Sequence, residues 1–365
     1  TPRLMQNSFV VLHKKRILEA VTKFNKVLNT NAYYAIKCNP HDEIIKYLAE
    51  LGCSFDCASI NEVKQALQYV TPDKVIFANP HCSDDDVKQL VDLKIDKFTV
   101  DSESQIRNIL EICNPKILLR LCPESQCEQE VKLGTKFGST FFEALRLVKL
   151  LKELNGNLVG LCFHMGYPIG SPVEIERLFQ NMIKIHTFCT EQGFNIKLID
   201  VGGGFVSESH NYQHKLEDYA EVFAKMAKEF PGAEMCSEPG RYFVEDSMDF
   251  FTKVDSVNPS IQVFGSSINW FFRNKVFQHD YEFMGCKAAD ITKDYKVVKY
   301  IEEKGEEKQI VGESGSYHDV YGRTSLALEP GDYIVSLYQG AYTYSICNGN
   351  IEQFTGSVTE IIVVE

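Results

Sequence analysis

Through roughly the first two thirds of the chain, short apolar runs alternate with segments whose apolar residues recur every three or four positions. The runs begin near Tyr33, Ser54, Val75, Phe98, Ile117, Leu158, Ile196 and Ala233. Apolar runs of this length bounded by turn residues read as buried strands. Between them, Ile44, Ile45, Leu48 and Leu51 mark one helical face, and Val87, Leu90 and Val91 mark another behind Ser83 as N-cap. Ile106, Ile109 and Leu110 follow Ser102. Leu145, Val148 and Leu151 follow Thr140 and Glu143, which have the spacing of a capping box. Met182, Ile185 and Phe188, and then Tyr219, Val222, Phe223 and Met226, precede the last two runs. Eight strands separated by helices predict an α/β fold, a (β/α)8 TIM barrel over residues 10–245. A doubly wound open sheet is the competing arrangement.

From about Phe243 the helical periodicity fades. Ile261–Phe264 and residues 295–301, 333–338 and 359–364 read as strands, with Lys304-Gly305-Glu306 and Glu329-Pro330-Gly331 as turns. A C-terminal all-β domain over residues 246–365 is expected, joined by residues 1–9.

Composition narrows the function classes. A chain of 365 residues, 44% hydrophobic, can bury a large core. Its net charge of -12 argues against a nucleic-acid partner. No apolar run is long enough to span a bilayer, so no membrane partner is expected, and Arg3 and Lys14 flank too short a run for a signal segment. A cytoplasmic location is the expectation. The chain opens on Thr1, which leaves room for an original N-terminus upstream. The 12 cysteines include no C-x-x-C pair and no accompanying histidine cluster, so no metal is expected. They read as reduced, buried small hydrophobes, with disulfides the minor alternative.

In a parallel barrel, functional residues belong at the C-terminal ends of the strands. Here the first strand runs into Lys37, ahead of Asn39-Pro40. The second carries Asp56, the fifth ends in Arg120, and the sixth ends in Cys162-Phe163-His164. The seventh ends in Asp200-Val201-Gly202-Gly203-Gly204, and the eighth in Glu238-Pro239-Gly240-Arg241. Each has an ordinary reading. A lone lysine is a surface charge, three glycines a tight turn, and Arg241 a surface ion pair. Glu238 is a capping carboxylate, His164 a satisfied core residue, and Asp56 and Arg120 buried ion-pair members. Together they read differently. Three glycines let backbone N–H groups approach an anion, and Arg241 adds a cation suited to phosphate. A lysine, a phosphate cradle, an acidic partner for a ring nitrogen and a stacking ring are the parts of a pyridoxal phosphate site.

The chain resembles the eukaryotic-type ornithine decarboxylases, of the alanine-racemase-like (fold type III) class of pyridoxal phosphate enzymes. Tyr34-Ala35-Ile36-Lys37-Cys38-Asn39 is similar to the family's lysine motif, and Phe55-Asp56-Cys57-Ala58-Ser59 with Glu62 to the next. Lys136-Phe137-Gly138, Phe163-His164-Met165-Gly166, Gly202-Gly203-Gly204-Phe205 and Glu238-Pro239-Gly240-Arg241-Tyr242 follow in family order. The resemblance implies decarboxylation of a basic amino acid, foremost L-ornithine to putrescine and CO2 in polyamine biosynthesis, by a homodimer with shared active sites. It implies that Lys37 binds the cofactor aldehyde, that Glu238 pairs with the pyridine nitrogen, and that His164 stacks on the ring. Gly202, Gly203, Gly204, Gly240, Arg241 and Tyr342 would hold the phosphate side.

The substrate motifs depart from the family. Gly315 and Ser316, in Gly312-Glu313-Ser314-Gly315-Ser316-Tyr317-His318-Asp319, stand where the family has its proton-donor cysteine and a substrate-binding aspartate. Trp270 follows Asn269 where another aspartate is expected, and Tyr167 replaces a phosphate-side serine. Asp319 and Asp280 are candidate substitute acids. These departures leave two alternatives: the same chemistry on lysine, arginine or a carboxylated diamine, or a catalytically impaired relative that binds a regulatory protein.

Overall fold

The computed structural model describes residues 8–123, 136–258, 261–264, 283–312, 320–343 and 360–365. The chain divides into two units, Glu19–Phe243 and Thr1–Leu18 together with Val244–Glu365. Strand β1 (Phe9–His13) leads directly into helix α1 (Lys14–Leu28).

The larger unit then alternates strand and helix. In order these are β2 (Asn31–Ala35), α2 (Asp42–Glu50), β3 (Ser54–Cys57), α3 (Ile60–Ala66), β4 (Val75–Phe77), α4 (Asp84–Asp92), β5 (Lys97–Val100) and α5 (Glu103–Ile112). The series continues with β6 (Lys116–Leu121), α6 (Phe141–Glu153), β7 (Asn157–Phe163), α7 (Pro172–Glu191), β8 (Leu198–Asp200), α8 (Ala220–Glu229) and β9 (Glu234–Ser237). Each strand pairs in parallel with the next, and β9 returns to β2 through Asn31 opposite Cys236. The sheet is therefore a closed eight-stranded barrel, which rules out the open doubly wound arrangement.

Local chemistry explains the helix starts. Ser83 caps α4 in a reciprocal capping box with Asp86, and Ser171 does the same for α7 with Glu174, ahead of Pro172. At α6 the Glu143 carboxylate accepts from both the backbone N–H (2.9 Å) and the hydroxyl (2.7 Å) of Thr140. Ser102 occupies the N-cap position of α5, but its side chain makes no cap hydrogen bond and lies 3.4 Å from the Ser104 hydroxyl. Tyr33, Ile76, Leu118, Cys162, Leu198 and Cys236 form a buried cluster contributed by six of the barrel strands. They fill the barrel as a packed core, which leaves chemistry to the strand ends.

After a short helix α9 (Arg241–Val244), the second unit builds a mixed sheet. Its strands are β10 (Met248–Val257), β11 (Ile261–Phe264), β12 (Met284–Cys286), β13 (Lys304–Val311), β14 (Val320–Leu326), β15 (Tyr333–Ser336) and β16 (Glu360–Val364). β1 pairs antiparallel with β10 and parallel with β16. Two sequence expectations fail here. Residues 295–301 form a loop with one isolated bridge, Ile291 to Val297, because exposed Val298 and Tyr300 find no buried face. Lys304-Gly305-Glu306 is not a turn but the start of β13, whose first four residues are all exposed; Lys304 pairs with Leu326 of β14, and regular pairing resumes at Lys308. A strand with both faces in water shows no alternation to read.

The described cysteines are all free thiols, with Cys113 and Cys122 half-buried and the others buried. Among the described residues no helix is long and apolar enough to cross a membrane.

Candidate active site

The register brings the barrel's charged residues to one end. Ala35 lies opposite Asp56. Arg120, Cys162, Asp200 and Cys236 pair successively across β6, β7, β8 and β9. Lys37, His164 and Glu238 follow the ends of β2, β7 and β9.

Lys37 sits not on the strand itself but in a single 3-10 turn, Ile36–Cys38, immediately after it. Pro40 holds Asn39 extended, and the Tyr34 hydroxyl donates to the Asn39 carbonyl at 3.0 Å. This turn lifts Lys37 out of the strand. Its Nζ lies 3.4 Å from Asp56 Oδ2, and its side chain stays 43% exposed while that of Asp56 is 1% exposed. The lysine is thus oriented by a buried acid yet reachable. The Glu238–Gly240 loop packs behind it: Ala35 N–H donates to the Pro239 carbonyl (3.1 Å), and a Cβ on Gly240 would come within 3.1 Å of the Cys38 Cβ.

Glycine is required at 202–204 because other backbone crosses there. Gly202 (φ 68°) and Gly204 (φ 90°) take left-handed conformations. A Cβ would meet the Phe163 carbonyl at 2.2 Å from Gly202, the Glu238 carbonyl at 2.3 Å from Gly203, and the Gly166 carbonyl at 2.0 Å from Gly204. The triplet is therefore more than a turn; it fits the loops after β7 and β9 against each other. Gly202 N–H donates to Asp200 Oδ1 (2.8 Å), and Glu238 N–H donates to the Gly202 carbonyl (2.7 Å). Ile169 N–H donates to the Gly204 carbonyl (2.7 Å). Arg241, 6% exposed, places its guanidinium 4.5 Å from the centre of the Tyr167 ring.

The electrostatics of the cluster are unusual. His164 and Glu238 keep some surface open, but their ionisable groups are enclosed. Burial, with Arg120 and Lys37 nearby, drives the His164 imidazole well below its ordinary pKa. Its Nδ1 accepts the Gly166 N–H at 3.0 Å, so the neutral ring carries its proton on Nε2. Burial, then Asp200 and Asp56, hold Glu238 well above the usual carboxylate range against the pull of Lys37 and Arg120. Asp200 is pushed up to about 6, chiefly by burial. Asp56 Oδ1 is buried with no hydrogen-bond partner among the described residues, and Asp200 meets the Glu238 carboxyl in a side-chain hydrogen bond that requires a proton on one of the two acids.

Three enclosed carboxyls, Asp56, Asp200 and Glu238, thus share the field of Lys37 and Arg120. Acids in this surplus are left short of a proton donor. The cationic N–H of a protonated pyridine supplies that donor, the lysine amine suits an aldehyde, and the triplet with Arg241 suits a phosphate. The residues present fit pyridoxal phosphate.

Sequence reasoning placed Lys37, Asp56, Arg120, His164, Gly202, Gly203, Gly204, Glu238, Gly240 and Arg241, and the barrel gathers all of them. It missed Asp200 as a site residue, although a carboxylate directly before a glycine triplet at a strand end was a usable signal. Glu62, which it named only as part of a motif and without a role, accepts the Ala58 N–H at its Oε2 (2.7 Å), and burial raises its pKa. Tyr342 belongs to the second unit, where it takes a left-handed conformation (φ 57°). Trp270, Asp280, Gly315, Ser316 and Asp319 lie outside the described residues.

The family model for the pyridoxal-binding domain of pyridoxal-dependent decarboxylases matches residues 14–245. The chain is 31% identical over 248 residues to ornithine decarboxylase of Rattus norvegicus, covering 66% of this chain and 53% of the relative. It is 31% identical over 219 residues to decarboxylase flvG of Aspergillus flavus, covering 59% and 50%. In these matches the chain spans about half the length of its relatives. Among solved structures, the arginine decarboxylase of Paramecium bursaria Chlorella virus aligns over 98% of this chain and 96% of that one, with TM-score 0.85 and 23% identity. Lysine decarboxylase from Selenomonas ruminantium aligns over 99% and 93%, with TM-score 0.82 and 24% identity. At these identities the structural likeness speaks for the fold.

Proposed function

The chain belongs to the pyridoxal-dependent decarboxylases, and from that premise we propose that it decarboxylates a basic amino acid, foremost L-ornithine, releasing putrescine and CO2. The carrying observation is the enclosed acid cluster set beside a reachable lysine. When bound, pyridoxal phosphate supplies the electron sink for the charge left by departing CO2.

The residues divide the work. Lys37 offers its amine to the cofactor aldehyde, steered by Asp56. Glu238, held toward its protonated form by burial and by Asp200 and Asp56, would give up that proton to accept the cationic N–H of a protonated pyridine. His164, neutral, packs a flat ring against the aromatic system without adding charge. The glycine triplet and Arg241 hold the phosphate. Tyr342 is assigned to the same end by its motif alone.

Ornithine is favoured by the sequence relatives named ornithine decarboxylase; the arginine and lysine decarboxylases among the structural neighbours keep those substrates as alternatives. Trp270 and Ser316 stand where the family has carboxylates, so ornithine is expected to bind weakly unless another acid compensates. Losing a desolvated charge partner costs about 3–5 kcal/mol, against roughly 0.5–2 kcal/mol from a cation–π contact to an indole. The reading also carries a homodimer as the active unit. A monomer fully active at assay concentration removes that part.

The deciding experiment incubates the purified chain with pyridoxal phosphate and ornithine, lysine or arginine, and measures released CO2. Release from one of them establishes the activity and ranks the substrates. A chain that binds pyridoxal phosphate but releases CO2 from none of the three refutes decarboxylation of these amino acids and leaves a carboxylated diamine or a regulatory role.

A further inference from the structure

Tyr167 stands on the loop after β7, two residues before Ile169. That loop is fastened to the glycine triplet in two ways: Ile169 N–H donates to the Gly204 carbonyl at 2.7 Å, and Gly204 approaches Gly166 so closely that a Cβ would fall 2.0 Å from its carbonyl oxygen. Arg241 comes from the other side, after β9. The Tyr167 ring receives it, with the guanidinium carbon 4.5 Å from the ring centre, inside the range of a cation–π contact. Both residues are nearly buried, Tyr167 at 9% and Arg241 at 6% exposure. A long arginine side chain has many rotamers, and ordering it on binding weakens affinity. A rigid aromatic face that holds it beforehand removes part of that cost.

We propose that Tyr167 is a positioning residue that fixes the Arg241 guanidinium at the phosphate end of the site through the face of its ring. On this view, the tyrosine does not simply forfeit a hydroxyl donor to phosphate. It replaces direct contact with indirect recognition, acting through Arg241. The inference rests on the reading of this site as one for pyridoxal phosphate.

The test compares two ligands that differ only in the phosphate. Affinities of the cofactor-free full chain for pyridoxal phosphate and for pyridoxal are measured by absorbance titration in wild type, Tyr167→Phe and Tyr167→Leu. Wild type should prefer the phosphorylated ligand, and Phe, which keeps the ring, should retain that preference. Leu should weaken pyridoxal phosphate by about twofold to thirtyfold, the equilibrium equivalent of such a contact, with pyridoxal unchanged. Equal weakening of both ligands by Leu, or an unchanged preference, overturns the inference while leaving the site reading intact. A wild type that binds pyridoxal phosphate no better than pyridoxal overturns both. If the Leu variant does not fold, inorganic phosphate is titrated into cofactor-free wild type and Tyr167→Phe while tyrosine absorption is followed. A change in wild type that is lost in Phe supports the contact, and no change in wild type overturns it.

Discussion

Two buried aspartates, one in each unit, show what separates a structural ion pair from a site. Asp249, in the sheet unit, has both oxygens occupied. Arg16 donates to Oδ1 (2.9 Å) and also pairs with Oδ2 (2.9 Å), the His13 ring meets Oδ2 at 3.0 Å, and the Tyr338 N–H donates to Oδ1 at 3.2 Å. Although burial pushes the other way, these partners hold its pKa below the ordinary carboxylate value. Asp200, in the barrel, is just as buried, but apart from the Gly202 N–H it faces the acids Glu238 and Asp56, and its pKa is raised to about 6. One charge is finished by the fold. The other is crowded by further buried acids.

The sharpest way to break this contrast is at the lysine. Lys37→Ala should abolish CO2 release and the visible absorption acquired with pyridoxal phosphate, and borohydride reduction of the wild type should label Lys37 on peptide mapping. Labelling of another lysine, with Lys37→Ala still active, would sink the assignment.

Next in size is stability without cofactor. Asp249→Asn breaks a buried pair and strands Arg16, and should destabilise the chain by about 3 kcal/mol, the lower end of the range because Arg16 is partly exposed. Asp200→Asn removes a crowded buried charge and should be near neutral or stabilising in chemical denaturation. Equal losses in the two variants would erase the distinction.

Smaller still is the pH dependence of the cofactor-free chain. The native pKa of Asp200 is above its unfolded value, so its contribution is full below the ordinary carboxylate range and is lost as pH rises toward about 6. The slope of that loss is at most about 1.4 kcal/mol per pH unit. Asp249 has the opposite sign: its contribution is present above the unfolded value and lost as pH falls through the lower native one. Asp200→Asn should flatten the first limb of a stability-against-pH curve, and Asp249→Asn the second.

The same contrast explains what could be read from the sequence. The barrel strands were legible because runs such as Val75–Phe77 and Ser54–Cys57 are wholly buried, and the site was legible because its residues fall at the ends of those runs. Asp200 escaped notice because its meaning depends on Glu238 and Asp56, which reach it only when the barrel closes. The Asp249 cluster was equally hidden, since His13 and Arg16 lie more than two hundred residues away. Lys304–Val311 misled because its first half is exposed on both faces. Tyr167 was noted only as a missing serine, because a ring held against an arginine from another loop leaves no trace in linear spacing.

The placement of β1 bears on how the chain is made. Every barrel strand pairs with its neighbour in sequence, closing once through β2 and β9, so that unit can complete itself while the ribosome is still extending the chain. β1 emerges before any of it, yet its partners are β10 and β16, with Phe9 opposite Phe251 on one side and Glu360 on the other. It must therefore wait, an apolar strand with open edges, through synthesis of the whole barrel. Contacts so distant along the chain form slowly. The interval before β10 and β16 dock on β1 is consequently one in which nascent molecules are open to chaperones and to pairing with one another.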